Sequence, residues 1–104
     1  MQSLAETYSP GEEPQLVLYL TGLDYMALER YDDAAASLTA ALNRDRPTSE
    51  LLYCLGQAQY RAGQPQAAAA SLQQALVLDP QHLLSRQLLG QIQIAQQGGA
   101  TAWR

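Results

Sequence analysis

The sequence has no phenylalanine and no lysine, and only one cysteine, one histidine and one tryptophan. With Cys54 alone there is neither an intrachain disulfide nor a thiolate metal cluster. His82 lies far from Cys54 in sequence and on a different expected element. No nucleophile, base and charge stabiliser converge, and no metal-ligand set does, so the chain reads as non-enzymatic and without a cofactor. Asp32-Asp33 and Glu12-Glu13 stand where helices start, where the helix dipole favours negative charge, and do not read as a paired acid and base. Gly98-Gly99 follows a helix instead of opening one, so it is no phosphate loop. The cations are all arginine, scattered at positions 30, 44, 46, 61, 86 and 104 in a chain of net charge −4. Nucleic-acid binders concentrate such charge in a stripe, because phosphate contacts supply most of their affinity. Nucleic acid is excluded on that ground. A basic leader followed by an apolar run is missing, as is any apolar stretch of membrane-spanning length, so a cytoplasmic location is expected and no membrane partner.

What is present is leucine and alanine. The 104 residues are 47% apolar, enough for one domain with a modest core. Few of them are β-branched. Leucine and alanine lose little conformational entropy in a helix, so the mixture favours helix over strand. The apolar residues also repeat. Ala34-Ala35-Ala36-Ser37-Leu38 recurs letter for letter as Ala68-Ala69-Ala70-Ser71-Leu72, a shift of 34 residues. The same shift carries Leu18 to Leu52, Tyr19 to Tyr53, Gly22 to Gly56, Ala41 to Ala75 and Asp45 to Asp79. A third copy begins with Leu89 and Gly90 and breaks off. Periods of this length mark solenoid arrays.

Five helices are expected. Residues 1–13 read as a flexible tail, because Ser9-Pro10-Gly11 and the charges after it carry no apolar period. The first helix runs from about Gln15 to Glu29, with Pro14 suited to its first turn. Apolar residues lie nearly all round it, which predicts contact on more than one side. A second helix opens at Asp32-Asp33 and reaches about Asn43. The third spans about 48–62 and stops near Gly63, and the fourth spans Pro65 to Leu78. Asp79 is placed to cap a fifth helix, with Pro80 in its first position, that runs to Gln97 and is stopped by Gly98-Gly99. Residues 98–104 read as a second flexible tail, whose Trp103 could dock in a groove. His82 is expected in solvent, and Cys54 as a small buried thiol.

Leu55-Gly56, Gly63, Ala68, Leu72, Ala75 and Pro80, with Gly22, Tyr25, Tyr31, Ala34, Leu38 and Ala41 in the preceding unit, fall at the spacings of a known motif. The chain resembles the tetratricopeptide repeat family over about residues 15–97. Thr21, Leu18, Leu52 and Arg86 depart from the usual residues, and Pro47 comes one residue late. The resemblance implies an all-α helix-turn-helix solenoid: repeat one at 15–48, repeat two at 49–82 and a capping helix at 80–97, together a domain at 14–97. Gly22 and Gly56 would let the first helix of each pair approach the second, answered by Ala34 and Ala68. Leu38 and Leu72 would fill the space between successive pairs.

The resemblance further implies a concave groove lined by first helices. Its positions fall here on Leu16, Tyr19, Leu23 and Met26; on Glu50, Tyr53, Gln57, Tyr60 and Arg61; and on Leu84, Gln87, Gln91 and Ile94. One subgroup clamps the carboxylate tail of heat-shock chaperones with charged residues. The matching positions here are Tyr19, Leu23, Cys54, Leu84 and Gln87, and none supplies the charge. Tyrosines offer rigid amphipathic contact area, and Met26 adapts to irregular apolar surfaces. The expectation is therefore a protein-binding adaptor or small chaperone that takes an apolar segment of a partner, such as an amphipathic helix. Small bacterial chaperones that guard secretion subunits are similar in size and architecture. The alternative is a self-associating scaffold or an assembly subunit, because two and a half repeats leave Leu83, Leu84, Leu88, Leu89, Ile92 and Ile94 on one last helix.

Overall fold

The computed structural model describes residues 13–101, with side chains as far as residue 96. The expectations for the tail before Glu13 and for Trp103 lie outside the described residues. Five helices follow in order: α1 (Gln15–Ala27), α2 (Tyr31–Leu42), α3 (Ser49–Arg61), α4 (Pro65–Leu78) and α5 (Leu83–Thr101). α1 packs on α2, α3 on α4, and α2 joins the two pairs by packing on α3. α5 rests on α4 and α3. The result is an elongated all-α solenoid measuring 55 × 27 × 18 Å.

The same residues close both pairs. Helices α1 and α3 each end in a left-handed residue, Glu29 with φ 59° and Gly63 with φ 84°, one repeat apart. The chain returns through matching bonds, from the Arg30 N–H to the Tyr25 carbonyl and from the Gln64 N–H to the Gln59 carbonyl, both 2.9 Å. Such six-to-one bonds satisfy carbonyls that a helix end would otherwise leave bare. At its start α3 is capped by Thr48, whose hydroxyl accepts from the Leu51 N–H at 3.1 Å. Gln15 ties the two ends of the first unit together. Its Nε2 donates to the carbonyls of Ala41 at 3.1 Å and Arg46 at 3.0 Å.

The core is built from the repeated residues. Ala34, Leu38, Ala41, Ala68, Leu72 and Ala75 are all fully buried. Leu38 shares one buried cluster with Leu51, Cys54 and Leu55 of the next pair, and Leu72 shares one with Ile92 of α5. Each also lies over the glycine of its own pair. A Cβ built on Gly22 would stand 2.6 Å from Leu38 Cγ, and one on Gly56 would stand 2.9 Å from Leu72 Cγ. The leucine one turn beyond Ala34 or Ala68 thus makes the tightest contact, and at Gly56 the Ala68 carbonyl oxygen joins it, 3.3 Å from such a Cβ. The reason is geometric, because a helical side chain leans toward the N-terminus and covers the turn before its own Cα.

α1 is contacted by both α2 and α3, as its apolar circumference predicts. Its outer face stays bare, with Leu16 64% exposed, since no helix precedes α1 among the described residues. The expected bounds of α5 give way at the other end of the array. α5 starts at Leu83 rather than Pro80 and continues past Gly98-Gly99 to Thr101. Asp79 accepts from the Gln81 N–H through its carboxylate at 3.1 Å and from the His82 N–H through its carbonyl at 3.0 Å. Asp79-Pro80-Gln81-His82 is therefore a β-turn with proline at its second position, and the helix begins one residue after it. At the other end, glycine lowers helix stability by only about 1 kcal/mol per residue, which lets a helix pass through it.

Candidate functional site

The groove residues expected from sequence come together on α3 and its neighbours, in two cavities. The larger, of about 480 Å³, lies between α3 and α5 and reaches Tyr31 at the start of α2. Tyr53, Gln57, Tyr60 and Arg61 form its α3 wall, and Leu84, Gln87 and Gln91 its α5 wall. Helical spacing of three and four residues puts each set on one face. The smaller cavity, of about 180 Å³, lies between α1 and the start of α3, where Leu16, Tyr19 and Glu50 meet Gln15, Thr48 and Leu51.

Three expected residues line neither cavity. Leu23 and Met26 are half-buried and pack against the cluster around Leu38 and Leu55. Ile94 is 71% exposed beyond the larger cavity. Tyr31 and Leu88 line that cavity and were not in the expected set. Tyr31 was assigned to the repeat motif, and only the docking of α2 against α3 turns its ring toward the groove. There the Arg61 guanidinium lies 5.9 Å from its ring centroid, within cation–π range.

His82 departs most from expectation. It is not solvated. Its Nε2 lies 3.2 Å from a Glu50 carboxylate oxygen, its Nδ1 lies 2.8 Å from Ser85 Oγ, and its ring stacks at a tilt 5.6 Å from Tyr53. The Ser85 N–H also points at Nδ1, at 3.3 Å. Because the His82 carbonyl accepts the first α5 bond, from the Arg86 N–H at 3.2 Å, His82 occupies the N-cap position. Nδ1 then accepts from the Ser85 N–H at the helix start, and Nε2 faces the Glu50 carboxylate. Serine, histidine and glutamate in this order suggest an acid–base relay. Ser85 is 0% exposed, however, so no substrate atom reaches its oxygen. The trio is a joint that fastens α5 to α3 between the two cavities. The expected role for Cys54 holds, since it is buried.

Burial sets the protonation of the groove. It pushes the Tyr19 phenol up to about 12, helped by the Cys54 thiol and by Glu50; Cys54 Sγ lies 3.8 Å from the Tyr19 hydroxyl. Burial likewise raises Tyr53, with further contributions from Cys54 and Glu50 and a smaller opposing one from Arg61. Burial also raises Cys54, partly offset by Tyr19. At neutral pH the Tyr19 and Tyr53 phenols and the buried Cys54 thiol therefore keep their protons. Among the described residues, no group of three His, Cys, Asp or Glu is placed to hold a metal ion, and no helix is long and apolar enough to cross a membrane.

Paired helices, glycine notches and a groove on the first helices define a helical repeat array. A family model for the tetratricopeptide repeat matches residues 19–82, more than half of the chain, and the chain belongs to that family. Such repeats generally mediate protein–protein interaction and are typically non-enzymatic. No curated protein matches the chain significantly.

Proposed function

We propose that this chain is a cytoplasmic adaptor or small chaperone that holds an apolar or amphipathic segment of a partner protein in the groove along α3. The observation that carries this reading is where the exposed apolar residues fall. Leu16 and Leu84 share one repeat position, and Tyr60 and Ile94 share another, and all four are exposed. Scattered exposed leucines are ordinary, but apolar residues recurring at groove positions form a patch of the kind that marks a binding surface. The tyrosines and the adjacent cavity add rigid area into which a partner's side chains can fit.

The test uses Leu84→Glu and Tyr60→Ala. Both residues are exposed, so neither change empties the core. Each variant should keep its helical circular dichroism and lose the natural partner on co-purification. If both retained the partner at the unaltered level, the groove would not be the binding site. Self-association through α5 is favoured by the exposure of Leu83 and Ile94. It is opposed at the face where a sixth helix would pack, since the position held by Leu18 and Leu52 in earlier units is Arg86 here. Light scattering of the purified chain decides between them: a monomer at all concentrations removes the scaffold reading.

A further inference from the structure

The two cavities carry opposite charge. In the larger one the only ionisable side chain of full charge is Arg61, among tyrosines, glutamines and leucines. In the smaller one it is Glu50. The two residues bound the groove face of α3 at its two ends, within Ser49–Arg61. Eleven residues of helix separate them, or roughly 16 Å. Among the described residues Arg61 forms no ion pair and lies over the Tyr31 ring at the cavity wall. Glu50 meets the His82 ring through one oxygen, and its side chain is 57% exposed.

We infer that the segment bound in this groove is dipolar: it carries a carboxylate that meets Arg61 and a cation that meets Glu50, about 16 Å apart, with apolar residues between them against Leu84 and Tyr53. This rests on the groove reading above and adds the chemistry of its occupant. A helical segment spans the distance with charges about eleven residues apart, and an extended one with about five. Guanidinium recognises carboxylate through paired N–H donors. Complementary charge of this kind fixes register and rejects wrong partners more than it adds affinity. A segment acidic at both ends would place one carboxylate against Glu50, and a segment basic at both ends would place one cation against Arg61. Both are disfavoured.

The experiment is selection of displayed random 16-residue peptides on the purified full chain at low salt. Enriched peptides should carry an acid and a base at one of those two spacings, around an apolar centre. Arg61→Glu should weaken a selected peptide by roughly tenfold or more, with the loss shrinking as salt is raised, and should shift a fresh selection toward peptides basic at both ends. Because Arg61 is exposed, the substitution leaves the core untouched. Enriched apolar peptides with no charge pattern, or a selected peptide indifferent to Arg61→Glu, would overturn the dipolar occupant while leaving the groove standing. No enrichment from the library at all, or enriched peptides unaffected by Leu84→Glu, would overturn the groove reading and this inference with it.

Discussion

Leu38 sits on Gly22 so closely that a Cβ added to the glycine would lie 2.6 Å from Leu38 Cγ and 2.7 Å from its Cδ2. Leu38 is itself fully buried and has nowhere to move. The pair Gly56–Leu72 repeats the arrangement, with the Ala68 carbonyl oxygen 3.3 Å away. Gly22→Ala and Gly56→Ala should therefore each destabilise by about 1–3 kcal/mol through overpacking. Gly90→Ala, at the same repeat position with nothing within 4 Å, should be neutral or stabilise by up to about 1 kcal/mol through helix propensity. Urea denaturation of the three variants checks the contrast. Equal effects at all three sites would contradict the packing.

The left-handed residues closing α1 and α3 give a second comparison. Glu29 occupies, with φ 59°, the position that Gly63 takes with φ 84°. A left-handed conformation costs a residue with a Cβ roughly 1–2 kcal/mol, and glycine almost nothing. Glu29→Gly should stabilise by about 0.5–1 kcal/mol once its greater unfolded-state entropy is subtracted. Gly63→Ala should destabilise by about 1 kcal/mol although it meets no atom. Thermal melts of the two single variants should move in opposite directions.

His82→Ala removes both the cap of α5 and the partner of the buried Ser85 hydroxyl. The expected loss is about 1–3 kcal/mol. Glu50→Gln retains an acceptor for Nε2–H and breaks only a partly exposed contact, so it should cost well under 1 kcal/mol. Hydrogen exchange across the first turn of α5 separates the two, with faster exchange in His82→Ala alone.

The groove phenols predict alkaline instability. Tyr19 has a folded value of about 12 against an ordinary 10. Between these values the unfolded chain gives up the phenolic proton while the folded chain keeps it. Unfolding is thereby favoured as pH rises. The stabilisation associated with neutral Tyr19 is full below about pH 10 and drains away as pH approaches about 12. Denaturant midpoints at pH 9 and pH 11 should differ for the unaltered chain and differ less for Tyr19→Phe.

Much of this molecule is legible in one repeat. A shift of 34 residues places Gly22, Ala34, Leu38 and Ala41 on facing helices and does the same for the second copy. Side-chain spacing along a helix is local and periodic, so it survives without knowledge of the neighbours. α4 accordingly spans Pro65–Leu78 as expected. The same register gathers Tyr53, Gln57, Tyr60, Arg61, Leu84, Gln87 and Gln91 around one cavity.

The sequence by itself determined the helices, the pairing of α1 with α2 and α3 with α4, and the membership of the repeat family. Tertiary structure alone decided which apolar residues at the array's ends stay bare, because exposure depends on whether a neighbouring helix exists. It decided that Leu23 and Met26 pack on the core cluster while Tyr31 enters the groove. It also decided that His82, 32 residues from Glu50, bridges the two cavities. A repeat period specifies contacts within a unit. A bond between residues from different units depends on how one unit is set against the next, and no local spacing records that angle.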